Sequence, residues 1–141
     1  MNSCTFDIDP RLLNDSHELF SWNQCHIRLH KNATLPWLLI IPETDEVEFC
    51  DLAAEQQTNI TYLGKIMGQY MKTEMGAEKI NFAAIGNVVQ KLHVHVIGRN
   101  HLDPLWPDVV WGASLPAKNY TEQQIKKLKG ELKSLLPREQ A

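Results

Sequence analysis

Apolar and polar residues alternate along Cys25-His-Ile-Arg-Leu29, a period of two that predicts a half-buried strand. A polar break follows from His30 to Thr34. Pro36 then opens Trp37-Leu-Leu-Ile-Ile41, an apolar run closed by Pro42 that predicts a second strand. Two strands joined by so short a loop predict an antiparallel hairpin. Upstream, Leu12, Leu13, Leu19 and Phe20 predict a short helix or helical turn within Pro10 to Trp22.

The strongest periodicity lies further on. Ile60, Leu63, Met67 and Met71 recur at helical spacing, and Ile66, Tyr70 and Met75 widen the stripe. Asp51 is the expected N-cap of this long helix and Gly76 its expected end. The methionines read as core filler. Ile80 to Ile85 predicts a strand, and Leu92 to Ile97 predicts another after Gly86, Asn87 and Val88-Val-Gln-Lys91. His101 to Pro116 is rich in turn residues and carries Trp106 and Trp111. Thr121 and Gln124 have capping-box spacing, so a final helix is expected to begin there. Strands, helix, strands and helix imply an α+β domain with a mainly antiparallel sheet.

The 141 residues suit one domain, 1–141, without repeats or linker-like tracts. The hydrophobic fraction of 43% supports an ordinary core. A net charge of -3 argues against a nucleic-acid binder, which usually shows a basic face, yet a locally positive pocket can still take a small anion. Lys126-Lys-Leu-Lys129 reads as a solvated helix face. Cys4, Cys25 and Cys50 form no Cys-x-x-Cys pair, so free thiols are expected. No signal peptide or bilayer-spanning run is recognisable, which makes a cytoplasmic protein without membrane attachment the expectation.

The chemistry concentrates in Lys91-Leu-His-Val-His-Val96. Extended through this stretch, a strand would turn Leu92, Val94 and Val96 to one face and Lys91, His93 and His95 to the other. Imidazole offers a neutral nucleophilic nitrogen near pH 7 and can also donate a proton. A lysine beside it would stabilise developing phosphoryl charge and favour the neutral form. A metal site is the competing use of His-x-His, with His26, His30, His101 or Asp103 as third ligand. No spacing compels that reading, and Lys91 would repel the cation.

Asn87-Val-Val-Gln-Lys-Leu-His-Val-His-Val-Ile-Gly-Arg99 resembles the motif of the histidine-triad (HIT) superfamily. More closely it resembles a bacterial branch related to diadenosine-polyphosphate hydrolases. Pro10-Arg-Leu-Leu, Leu35-Pro-Trp-Leu-Leu-Ile-Ile-Pro42, Asn81-Phe-Ala-Ala-Ile-Gly-Asn87 and the Trp106-Pro…Val110-Trp-Gly112 tail extend the likeness along most of the chain.

The resemblance implies a HIT-like fold of about five strands with one long helix and a C-terminal helix. It makes His93 the nucleophile at an α-phosphorus, forming a nucleotidyl-histidine, and His95 the phosphate contact and leaving-group assistant. Lys91 stands where most of the superfamily has histidine and this branch often has glutamine. Gly86 and Asn87 match positions that cradle the phosphate, Asn81 matches another amide near it, and Asn32 (or His30) matches one that meets the ribose. A homodimer is also implied.

The expected activity is a nucleotide hydrolase or nucleotidyl transferase acting on a small-molecule nucleotide of diadenosine polyphosphate or phosphoramidate type. No cofactor or metal is required, although magnesium can accompany a polyphosphate. The alternative is a non-catalytic purine-nucleotide-binding or sensing module with a retuned site. Retention of both His93 and His95 speaks for the enzyme.

Overall fold

Asp9 and Pro10 open the first element. In the computed structural model, which describes residues 6–139, α1 (Pro10–Asp15) starts on proline, and the Asp9 side chain accepts from the Arg11 amide at 2.9 Å. The chain then turns directly into β1 (Ser16–Trp22), so the expected helical turn ends much earlier than Trp22. A bulge between Glu18 and Phe20 explains the difference. It spaces the buried residues Ser16, Leu19 and Trp22 three apart, a rhythm that imitates a helix.

Asn23 and Gln24, both at positive φ (46° and 60°), form a two-residue turn into β2 (Cys25–His30). The predicted hairpin of β2 and β3 (Trp37–Pro42) is present, antiparallel, with Leu29 opposite Leu38. β4 (Lys79–Ala83) and β5 (Val94–Arg99) complete an antiparallel sheet of order β1-β2-β3-β5-β4. β5 begins at Val94 rather than Leu92. Its ladders end at Ile40 opposite Val94 and Ala83 opposite His95, leaving Lys91 and Leu92 no strand to pair with.

The long helix, α2 (Ala54–Glu74), buries Ile60, Leu63, Met67 and Met71 as the periodicity requires. Asp51 is not its N-cap. That residue lies in a short 3-10 turn, Phe49–Asp51, and Ala53 occupies the cap without a side-chain hydrogen bond. Gly76, at φ +73°, reverses the chain after Met75. α3 (Glu122–Ser134) carries the expected capping box: Thr121 Oγ1 accepts from the Gln124 amide at 3.1 Å, and Gln124 Oε1 accepts from the Thr121 amide at 2.9 Å.

One sheet face, with Ile27, Leu29, Leu38, Ile40, Val94 and Val96, packs beneath α2 and α3 in the main core. The opposite face presents Trp37, Leu39 and Ile97, which cluster with Val110, Trp111 and neighbours from the irregular C-terminal segment. Cover on both sides is why β3 and β5 are buried at every position. The segment is anchored at its root. Asp103 binds Arg99 through Nε at 2.7 Å and Nη2 at 3.0 Å, with both side chains almost wholly buried, and its carboxyl is held below the usual range chiefly by that pairing.

Cys25 is buried, which pushes its thiol up to about 12, and Cys50 is exposed; both are free. Cys4 lies outside the described residues. Among the described residues no helix is long and apolar enough to cross a membrane.

Candidate active site

His93 and His95 sit at the head of β5 on the face away from α2, at the floor of a pocket of about 520 Å³. α1 supplies one rim through Arg11, Leu12 and Asp15. The 85–89 loop supplies another, and Trp111 with Gly112 closes a third side. Gly86 holds φ +65° there, a conformation that costs an L-side chain, so the loop turns where a larger residue would resist. Both imidazoles are buried, with 6% and 8% exposure, and their ring centroids lie 5.0 Å apart.

Their hydrogen bonds set opposite tautomers. His93 Nδ1 lies 2.7 Å from the Lys91 carbonyl. A carbonyl only accepts, so Nδ1 carries the proton and Nε2 of the neutral ring keeps its lone pair. His95 Nδ1 lies 3.0 Å from Trp37 Nε1. An indole only donates, so here Nδ1 accepts and Nε2 carries the proton. One ring therefore presents a nucleophile, the other a donor.

Burial pushes the His95 pKa down to about 3, with the neighbouring His93 and His30 adding to the effect. Rings enclose it: Trp111 meets it edge-on at 5.2 Å and Trp37 tilts against it at 5.7 Å. His30 stacks on Trp37 at 4.2 Å, and burial lowers its pKa as well, with Asp15 opposing. The buried Trp111 indole N–H meets no acceptor among the described residues.

The family model for the HIT domain matches residues 11–102 of this chain. The chain belongs to the HIT family. Solved HIT proteins resemble it over nearly their whole length. One from Sinorhizobium meliloti is 34% identical, with 94% of this chain and 98% of that one covered and a TM-score of 0.84. One from Marinobacter aquaeolei is 36% identical, with 93% and 96% covered and a TM-score of 0.82. One from Bradyrhizobium japonicum is 29% identical, with 92% and 96% covered and a TM-score of 0.82. No curated protein matches. HIT membership points to nucleotide binding or to nucleotide hydrolase or transferase chemistry.

In this HIT chain the pocket brings together His93, His95, Asn87 and Gly86, with His30, the alternative to Asn32. It does not take in Lys91, Asn81 or Asn32. Lys91 is not among the residues lining the pocket; its ammonium rests over the Phe6 ring at 4.6 Å, and its carbonyl lies 2.7 Å from His93 Nδ1. Asn81 accepts from Arg99 Nη1 at 3.2 Å, outside the pocket lining. Asn32 folds onto its own loop, accepting from the Thr34 amide at 3.0 Å, while His30 reaches the pocket. The other weighed metal ligands are engaged elsewhere: His26 with Glu43, His101 with Glu78 and Asp103 with Arg99. Among the described residues no three His, Cys, Asp or Glu side chains converge as a metal site.

Sequence reasoning missed Arg11 and Leu39 at the pocket and the tie from Trp37 to His95. Strand parity carried the signal for Trp37 and Leu39, since residues opposite or diagonal to His95 share its face. Arg11 had none.

Proposed function

We propose that this protein is a nucleotide hydrolase or nucleotidyl transferase that reacts at an α-phosphorus through a nucleotidyl-His93 intermediate. The opposite tautomers of two adjacent buried imidazoles carry this reading. In the first step the Nε2 lone pair of His93 forms a bond to phosphorus. The bond from phosphorus to the leaving group breaks, and its electron pair departs with that group. His95 Nε2–H donates a hydrogen bond to an oxygen at the reacting centre, where charge accumulates.

In the second step a water oxygen attacks phosphorus and the P–N bond breaks. Its electron pair returns to His93 Nε2, and one water proton passes to solvent. An alcohol or amine in place of water gives transfer. Asn87 can donate an amide N–H to the phosphate from the loop that Gly86 allows. Leu12, Leu39 and Ile85 offer an apolar wall for the base.

The test is turnover of diadenosine tetraphosphate and adenosine phosphoramidate without added metal. Wild type releases AMP, and His93→Ala loses about 10³-fold or more, the scale seen when a nucleophile is removed. Nucleotide binding without turnover by wild type leaves a binding module and defeats the enzyme reading. A homodimer belongs to the same proposal. β4 is an edge strand bearing exposed Phe82, and light scattering that reports a monomer removes the dimer.

A further inference from the structure

Arg11 lines the pocket from α1, and it is the one lysine or arginine side chain among the lining residues. Its guanidinium is held from two sides. Nε and Nη2 donate to Asp9 at 3.2 and 3.1 Å, and Nη1 donates to the Val88 carbonyl at 3.3 Å on the loop across the pocket rim. A guanidinium has five N–H groups, so two remain beyond these bonds. The side chain is 56% exposed, so a ligand in the pocket can reach it.

We infer that Arg11 determines what the enzyme expels, by binding an anionic group attached beyond the α-phosphate and so favouring phosphoanhydrides over phosphoramidates. The inference rests on His93 as the attacking residue. When the bridging P–O bond breaks, its electron pair stays on the bridging oxygen, and the departing phosphate or nucleotide leaves as an anion. Arg11 meets that charge as a directional fork, with Asp9 fixing its orientation and offsetting part of its charge.

The histidines agree. With His95 Nδ1 occupied by the Trp37 N–H, the ring offers one hydrogen bond and holds no second proton to release. A phosphate leaving group needs none, whereas an amine leaving from a phosphoramidate does. Lys91, the other cation suggested by the motif, is turned onto Phe6.

The experiment compares kcat/KM for diadenosine tetraphosphate and adenosine phosphoramidate in wild type, Arg11→Ala and Arg11→Lys. Arg11→Ala is expected to lose about 10- to 100-fold on the polyphosphate, the scale of one or two hydrogen bonds to a charged group, and under about 3-fold on the phosphoramidate. Arg11→Lys recovers part of the loss, since it keeps charge without the fork. An equal loss on both substrates means that Arg11 only steadies the loop through Val88, and overturns the inference. So does no loss on either.

Should wild type turn over neither substrate, the reading of His93 fails, and calorimetry with ADP and AMP decides the role of Arg11 by itself. A preference for ADP that Arg11→Ala erases supports it. No preference in wild type, or one that survives the substitution, overturns it.

Discussion

Trp37 stands diagonal to His95 across the β3–β5 ladder and donates its indole N–H to His95 Nδ1 at 3.0 Å. The same indole stacks on His30. A residue that reads from its neighbours as core thus fixes which nitrogen of His95 faces the pocket. Strand register does this work, because β3 and β5 are paired at that level and neither side chain needs a loop to place it.

Trp37→Phe keeps an aromatic wall but removes the donor. His95 is then free to adopt the other tautomer, and kcat should fall by about 10- to 100-fold, the usual loss when the partner orienting a functional histidine is removed. KM should change much less. Steady-state kinetics check this, and an unchanged kcat refutes the orienting role.

The buried imidazoles predict a pH dependence of stability. Folded His95 has its pKa near 3, against about 6.5 in the unfolded chain. Below about 6.5 the unfolded chain takes up a proton that the folded protein refuses. Stability present at neutral pH is therefore lost as the pH falls from about 6.5 toward 3. The depressed His30 acts in the same direction. Urea unfolding at pH 5 should show about 2 kcal/mol less stability than at pH 7 from His95, and His95→Gln should flatten that slope. Equal stabilities at the two pH values count against it.

Lys91 makes a contrasting case. Its side chain rests on Phe6, and only its carbonyl serves His93. Lys91→Gln should leave kcat/KM within about 3-fold of wild type, the range of a surface change away from the chemistry. A loss of 100-fold on every substrate would place the ammonium in the reaction after all.

The Arg99–Asp103 pair tests the anchoring of the wall that carries Trp111. Arg99→Met strands a buried carboxylate and should cost about 3–5 kcal/mol in chemical denaturation. Arg99→Met with Asp103→Leu should regain much of that, because the lone charge is gone. A single substitution as mild as the double one contradicts this account.

Much of the fold was legible because its signals are local. The α2 stripe, the β2–β3 hairpin, the capping box at Thr121 and the Gly76 stop each depend on a few adjacent residues. β1 was hidden by its bulge, which replaced a period of two with one of three. Asp51 has the chemistry of a cap, but the chain makes a 3-10 turn first and enters α2 three residues later.

At the site, the histidines and the Gly86–Asn87 loop could be read because they are nearly contiguous. Lys91 lies beyond the β5 ladders and does not line the pocket, and its carbonyl rather than its side chain meets His93. Arg11 and Trp111 come from opposite ends of the chain. Only the tertiary fold brings them within reach of His93 and His95.

The two faces of the sheet are covered by different kinds of chain, regular helices on one side and an irregular strap on the other. That division separates what must be conserved for folding from what can be altered for selectivity. Substitutions along 105–112 or 85–89 can reshape the cleft while the interdigitated layer under α2 stays intact. A lineage can therefore change its ligand by editing loops while the paired imidazoles keep their places at the head of β5.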